Sequence, residues 1–375
     1  MLREQSSRIT CQIRHELLAQ AIGILDEMGV PEVLLQGGRM VLARPSRLPP
    51  LFSRSATSLV ALQADILTLT VPVAASETVA GALLERLDLT QPGRGGVYVE
   101  SVEVLRGAPG PSWERFLRPV EPRRWLRSLV GVTCVTTRDL GNVVARVALE
   151  FGTSVPVVTY GRGTGLRNKL GLLRIAVPAE KELVTVVTTD LDALAFMELL
   201  VEGVRLDQPG RGFVHLFPIA AARVDTRIFL GEQRHAASIE QIVSAIDDMS
   251  HSTHWRRHFA AEYARAATDR WSEGDRLVNL TINCADGEGT ELVLACMRAG
   301  AGGATTRKAT LRSSVPGAHG PARERSDIVV AADSLPRVLQ ELERAGIFEP
   351  EKEAILESAV CQAAFTYRRK TAAPG

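Results

Sequence analysis

Gln91-Pro92-Gly93-Arg94-Gly95 is repeated as Gln208-Pro209-Gly210-Arg211-Gly212, and this pentapeptide sets the fold to expect from the rest of the chain. Each copy closes a segment with helical spacing and opens one with strand-like alternation, residues 96–99 after the first and 213–217 after the second. The same turn joining the same two kinds of element twice marks a repeat protein. Two glycines around an arginine admit backbone conformations closed to residues with a Cβ, and their amides can point into a concavity that suits an anion. Arg94 and Arg211 add forked, permanently charged donors for phosphate or carboxylate. For a single copy, a tight turn with a solvated arginine is the plainer reading. Two copies at matching places favour a ligand loop.

Working outward, residues 8–14 alternate Ile9, Cys11 and Ile13 with Thr10 and Gln12, as a half-buried strand does. Leu17, Leu18, Ala21, Ile22, Leu25 and Met28 form the apolar stripe of a helix stopped by Gly29. A strand over 32–36 runs into Gly37 and Gly38, a proline-bearing loop covers 41–58, and a strand covers 65–71. Ser76 is expected to cap a helix to Leu87, and the turn then leads into a strand over 97–104. The second copy repeats the order: strand 129–136, helix 139–151, strand 155–159, loop 161–171, strand 182–188, a helix from Asp190 to Glu202, and strand 213–217. A third follows with strand 277–284, helix 290–299, strand 304–310, loop 311–324, strand 326–332, a helix from Ser334 to Ala345, and strand 359–368. Where its turn should stand, the chain reads Gly346-Ile347-Phe348-Glu349-Pro350-Glu351-Lys352. Glu349, Glu351 and Glu353 would repel a phosphate there.

Strand, helix, strand, strand, helix, strand is the ferredoxin-like split motif, which names no function by itself. The expected fold is α+β, with three tandem ferredoxin-like (βαββαβ) domains: repeat 1 over 1–105, repeat 2 over 129–220 and a degenerate repeat 3 over 276–375. Residues 106–128 read as a proline-rich linker and 221–275 as a helical linker. Within the latter, Ile239, Ile242, Ile246 and Met249 mark an amphipathic helix, and 258–271 reads as another.

In the whole chain, 44 Lys and Arg nearly balance 43 Asp and Glu, so no global field points to nucleic acid or an anionic membrane. No run of 18 apolar residues is present, and a polar N-terminus does not read as a signal peptide, so a cytoplasmic protein without membrane insertion is expected. Cys11, Cys134, Cys284, Cys296 and Cys361 lack metal or redox spacing and read as buried, reduced thiols. His251, His254 and His258 approach one helical face, but Trp255, Arg256 and Arg257 between them favour a docking or surface patch over a metal site. No catalytic residue or metal ligand is expected.

The residues themselves carry a resemblance. Tyr160-Gly161-Arg162-Gly163-Thr164-Gly165, then Leu172, Ile175, Ala176, Pro178 and Glu180-Lys181-Glu182, and finally Leu206-Asp207-Gln208-Pro209-Gly210-Arg211-Gly212-Phe213 are similar to the PII nitrogen-regulatory superfamily. The likeness is to its PII-like branch, which carries a proline-glycine-arginine-glycine turn. It thins in the first copy and further in the third. That resemblance implies trimers of one domain, adenine nucleotides (ATP, ADP or AMP) bound in clefts between neighbours, and a long T-loop touching a transporter, enzyme or regulator. The B-loops around the phosphates would be Gly93, Arg94 and Gly95, and Gly210, Arg211 and Gly212. The T-loop bases, which complete each site from the adjacent domain, would be Gln36, Gly37 and Gly38, and Thr159, Gly161 and Gly163. Three copies in one chain would make a monomeric, single-chain pseudo-trimer. The departures are an arginine in place of the B-loop lysine, no third B-loop, and no assured equivalent of the uridylylation tyrosine.

The expected function is non-enzymatic signalling: a small anionic effector binds between repeats, and the T-loops, with Thr164, Arg167, Asn168 and Lys169 in the second, contact a protein target. Two alternatives stay open. One is a structural or assembly protein of degenerate repeats without a ligand; the other, less favoured for lack of paired carboxylates or an activated nucleophile, is a phosphate-handling enzyme.

Overall fold

The computed structural model describes residues 2–45, 57–107, 113, 125–165, 179–226, 239–252, 277–313, 320–349 and 352–366. In chain order the elements are β1 (Leu2–Arg14), α1 (Leu18–Met28), β2 (Glu32–Pro45), β3 (Thr57–Pro72), α2 (Val73–Arg86) and β4 (Gly95–Arg106). Next come β5 (Leu129–Thr137), α3 (Gly141–Phe151), β6 (Val157–Thr164), β7 (Glu180–Thr189), α4 (Ala193–Val204), β8 (Gly212–Ile219), β9 (Ala221–Arg223) and α5 (Ile239–Ser250). The last third holds β10 (Leu277–Ala285), α6 (Gly289–Arg298), β11 (Ala304–Ser313), β12 (Ala322–Ala331), α7 (Leu335–Arg344), β13 (Ile355–Cys361) and β14 (Ala363–Thr366). None of these helices is long and apolar enough to cross a membrane.

The strand pairing overturns the expectation of three ferredoxin-like domains arranged as a pseudo-trimer. Separate domains would each keep their own sheet; here all pairings belong to a single antiparallel sheet. β2 pairs with β3 but also with β6 and β11, so Arg39 faces Val158 and Leu34 faces Leu311. β4 pairs with β1 on one side and with β13 and β9 on the other. The circuit β11-β12-β10-β13-β4-β1-β3-β2-β6 returns to β11 and closes a nine-stranded antiparallel barrel. β7, β5, β8 and β14 continue from β6, and Gln362 alone separates β14 from β13. Closure has a physical motive, because every edge strand left open presents unpaired amides and carbonyls.

Side-chain alternation puts two different environments on the two faces of this sheet. On β1, Ile9, Cys11 and Ile13 point to an outer layer where they pack with Ala21, Leu25, Val79 and Leu83 of α1 and α2. Arg8, Thr10 and Gln12 point inward and line the barrel interior. β10 repeats the arrangement, with Leu280, Ile282 and Cys284 against α6 and α7 and Asn279 and Thr281 on the opposite face. The alternation thus describes strands buried on both faces. All five cysteines are free and buried, and burial pushes each thiol up to about 12.

The outer cores also ignore the expected domain limits. Met40, Val41, Leu42 and Ala43 of β2 join the core built on Val144, Ala145 and Ala148 of α3. Strand β2 is therefore longer than its alternation suggests, and its far half, expected as loop from 41, belongs to the neighbouring layer. The caps differ as well. Neither Ser76 nor Asp190 caps a helix: α2 starts at Val73 after Pro72, and α4 starts after Asp192. Ser334 makes no side-chain cap bond either. Instead, buried carboxylates of the sheet reach the helix starts, Glu182 Oε2 accepting from Gly141 N at 2.8 Å and Glu324 Oε2 from Gly289 N at 2.8 Å.

Candidate functional site

The two glycine-arginine turns share one backbone design. After α2, Leu89 N donates to Leu84 O at 2.9 Å and Gln91 N to Asp88 O at 3.1 Å. After α4, Leu206 N donates to Val201 O at 3.0 Å and Gln208 N to Arg205 O at 3.1 Å. Asp88 and Arg205 both take left-handed conformations that end their helices. Gly93 and Gly210 have φ of 85° and 79°, and Gly95 and Gly212 have φ of 133° and 141°. A Cβ on Gly95 would collide with the Gln12 carbonyl oxygen, and one on Gly212 with that of Val135, so close strand approach requires glycine at both places.

Their occupancy differs. Gly93 N lies 3.0 Å from each oxygen of Asp225, and Arg94 Nε donates to Leu87 O at 2.8 Å. The first turn is filled by a carboxylate of the same chain, with its arginine folded back onto a helix end. The cavity beside it, between Gln12, Gly96, Ser154 and Val155, measures only about 10 Å³. At the second turn, Lys181 Nζ donates to Gly210 O at 3.5 Å and Thr136 Oγ1 to Arg211 O at 3.1 Å. Among the described residues no carboxylate meets this turn and the Arg211 guanidinium has no partner.

The expected T-loop bases lie on β2 and β6. Gly95, Ile13, Asp65 and Gly37 stand in one row across β4, β1, β3 and β2, three strand spacings or roughly 14 Å from end to end. Gly37 therefore stands three strands from the turn of its own copy, whereas the resemblance expects it at the turn of a neighbouring copy. Gly38 abuts Val158 and Thr159 of β6, so the two bases meet there, while Gly161 abuts Thr306 of β11. Gly163 alone approaches its turn, through the Lys181 side chain that also reaches Gly210. In the last third, Glu353 of the acidic stretch pairs with Arg323, the neighbouring Lys352 binds Glu288 at 2.9 Å and Glu291 at 2.7 Å, and Glu351 lies outside the described residues. Arg167, Asn168, Lys169 and the patch at 254–258 lie outside the described residues. No cluster of His, Cys, Asp and Glu that could hold a metal occurs among the described residues.

The barrel interior has no counterpart among the expectations from sequence. It encloses a cavity of about 70 Å³ lined by polar side chains from every third of the chain. Arg8 grips Glu100 through two bonds, of 2.6 and 3.0 Å, and Glu357 through one of 3.0 Å. Burial opposes the Arg8 charge, but Glu100 and Glu357 outweigh it and raise its pKa well above the ordinary value. Arg307 pairs with Asp327, and Arg325 Nε stands 3.7 Å from the same carboxylate. Burial works against the Asp327 charge too, yet Arg307, Arg325 and Arg8 hold it below the usual carboxylate range. Burial pushes His215 down to about 4, with Arg307 and Arg8 acting in the same sense and Asp327 against it. The inward places of β8 and β12 read as ordinary strand positions; the signal available was polar residues at alternate places of strands whose other residues are apolar.

No protein-family model matches the chain, and no curated protein matches it. Among solved structures it is similar to an anthrone oxidase-like protein, at 9% identity and a TM-score of 0.19, over 66% of this chain and 97% of that one. It is also similar to a mutant chlorite dismutase from Candidatus Nitrospira defluvii, at 12% identity and a TM-score of 0.15, over 62% of this chain and 91% of that one. Likenesses this slight bear on neither fold nor function.

Proposed function

We propose that this protein binds a small anionic effector without turning it over, at the second glycine-arginine turn, and passes the signal to a protein target through the adjoining loops. An adenine nucleotide, the effector implied by the PII-like resemblance, is the first candidate. One observation carries this reading: two turns of matched backbone, of which the first already holds a carboxylate on its glycine amide. Gly93 and Asp225 demonstrate the chemistry such a turn accepts. Gly210 to Gly212 offer the same geometry beside Lys181 and Arg211.

Calorimetric titration of ATP, ADP and AMP tests it. Arg211→Ala should weaken binding by about 1.5–3 kcal/mol, the worth of a charged hydrogen bond. A structural role without ligand is favoured by the plugged first turn and by the third copy's lack of the turn; silence with all three nucleotides would point there. Release of phosphate during the titration would point to an enzyme.

A further inference from the structure

Interior charges of the barrel balance, three arginines against three carboxylates, but are unevenly shared. Arg8 is shared by two carboxylates, Glu100 and Glu357. Across Thr281, whose Oγ1 accepts from Arg8 and donates to Asp327, Arg307 and Arg325 share the single carboxylate of Asp327. Each of those two arginines keeps a buried Nε–H without a hydrogen-bond partner. On the same cavity wall, His215 Nδ1 and Asn279 Oδ1 are also unpartnered, and those residues are 5% and 6% exposed. Buried polar atoms are nearly always satisfied, so four orphans around one cavity point to an occupant. Two unpartnered guanidinium N–H groups on one cavity wall, beside a carboxylate they must share, favour a charged acceptor, because hydrogen bonds between ionised partners are the strongest. A volume of about 70 Å³ holds several water-sized groups, which rules out a nucleotide.

We propose that the barrel interior is a second binding site, which takes one small monoanion of formate or acetate size between Arg307 and Arg325, facing His215 and Asn279. Two carboxylate oxygens accept from the two Nε–H groups, and a water or hydroxyl supplies the donor that Asn279 Oδ1 lacks. Arg307 Nη1 also donates to Gln36 Oε1 at 3.4 Å, so occupancy reaches β2 from the interior.

The test is thermal unfolding in rising sodium formate, acetate or nitrate, with ionic strength held by sodium MES, whose anion is too bulky to enter. The melting temperature of the unaltered protein should climb with the logarithm of probe concentration, as binding to the folded state alone demands. Arg325→Gln and Arg307→Gln should each weaken that dependence at least tenfold. Arg211→Ala should leave it intact, which separates this site from the turn. Equal responses in the wild type and both interior variants, or no response to any probe, would overturn the proposal. Should the glutamine variants not fold, anomalous scattering from crystals of the unaltered protein grown in sodium bromide decides. A bromide within hydrogen-bond distance of both Nε atoms is expected, and an interior holding water alone refutes it.

Discussion

Arg8 of β1 and Glu357 of β13, 349 positions apart, form a buried ion pair 3.0 Å long that ties the first strand to the last third of the chain inside the barrel. Thr281 Oγ1 accepts from the same guanidinium nitrogen at 3.2 Å, and Thr70 donates to the same carboxylate. One arginine thus joins residues from both ends of the molecule. Arg8→Met should strand Glu100 and Glu357 without their cation and cost about 3–5 kcal/mol. Urea unfolding monitored by circular dichroism measures this, and a loss below about 1 kcal/mol contradicts the assigned role.

His215 predicts a specific acid response. Its pKa is about 4 in the folded chain against 6.5 when unperturbed. Above 6.5 it is neutral in both states and exerts no pull. As pH falls from 6.5 towards 4, the unfolded chain binds a proton that the folded one does not, and stability should drop by roughly 3 kcal/mol. Asp327, whose folded pKa is depressed from 3.8, begins its own loss only below that value. His215→Phe, set between Phe213 and Phe217, should flatten the curve between pH 6.5 and 4. An unchanged slope in that variant would show that another group is responsible.

Gly212→Ala should be destabilising beyond the cost of an unfavourable φ, because the new methyl meets the Val135 carbonyl. We expect about 1–3 kcal/mol from backbone strain alone. Gly23→Ala is the control: it is helical, and nothing lies within 4 Å of the added carbon. It should stabilise by about 0.5–1 kcal/mol. Thermal melts of the two variants should therefore shift in opposite directions.

Asp225→Ala empties the first turn. Loss of the carboxylate that accepts from Gly93 N should cost about 1–3 kcal/mol. The variant should also gain affinity for inorganic phosphate over the wild type, read by calorimetry. Loss of stability without new phosphate binding would mean that the turn is a structural clasp and not an anion cradle.

What the sequence by itself determined is local. The pentapeptide at 91–95 and 208–212 requires glycine at two points, and both copies adopt one backbone design in the folded chain. The order of strands and helices follows from alternation and from helical stripes such as that of α1, since those periods depend on neighbours within one or two turns. The five buried thiols follow from their places on apolar faces.

Only tertiary structure decided which strand each edge would meet. Both β2 and β4 carry free donors and acceptors on a second edge, and nothing in their residues distinguishes water from β6, β11 or β13 as the partner. Alternation of Ile9, Cys11 and Ile13 with Arg8, Thr10 and Gln12 reads as one wet face, whereas closure of the barrel turns that face inward. Charges such as Arg8, Asp327 and Arg325 become an interior because hydrogen bonds between strands distant in sequence are satisfied only when the sheet meets itself.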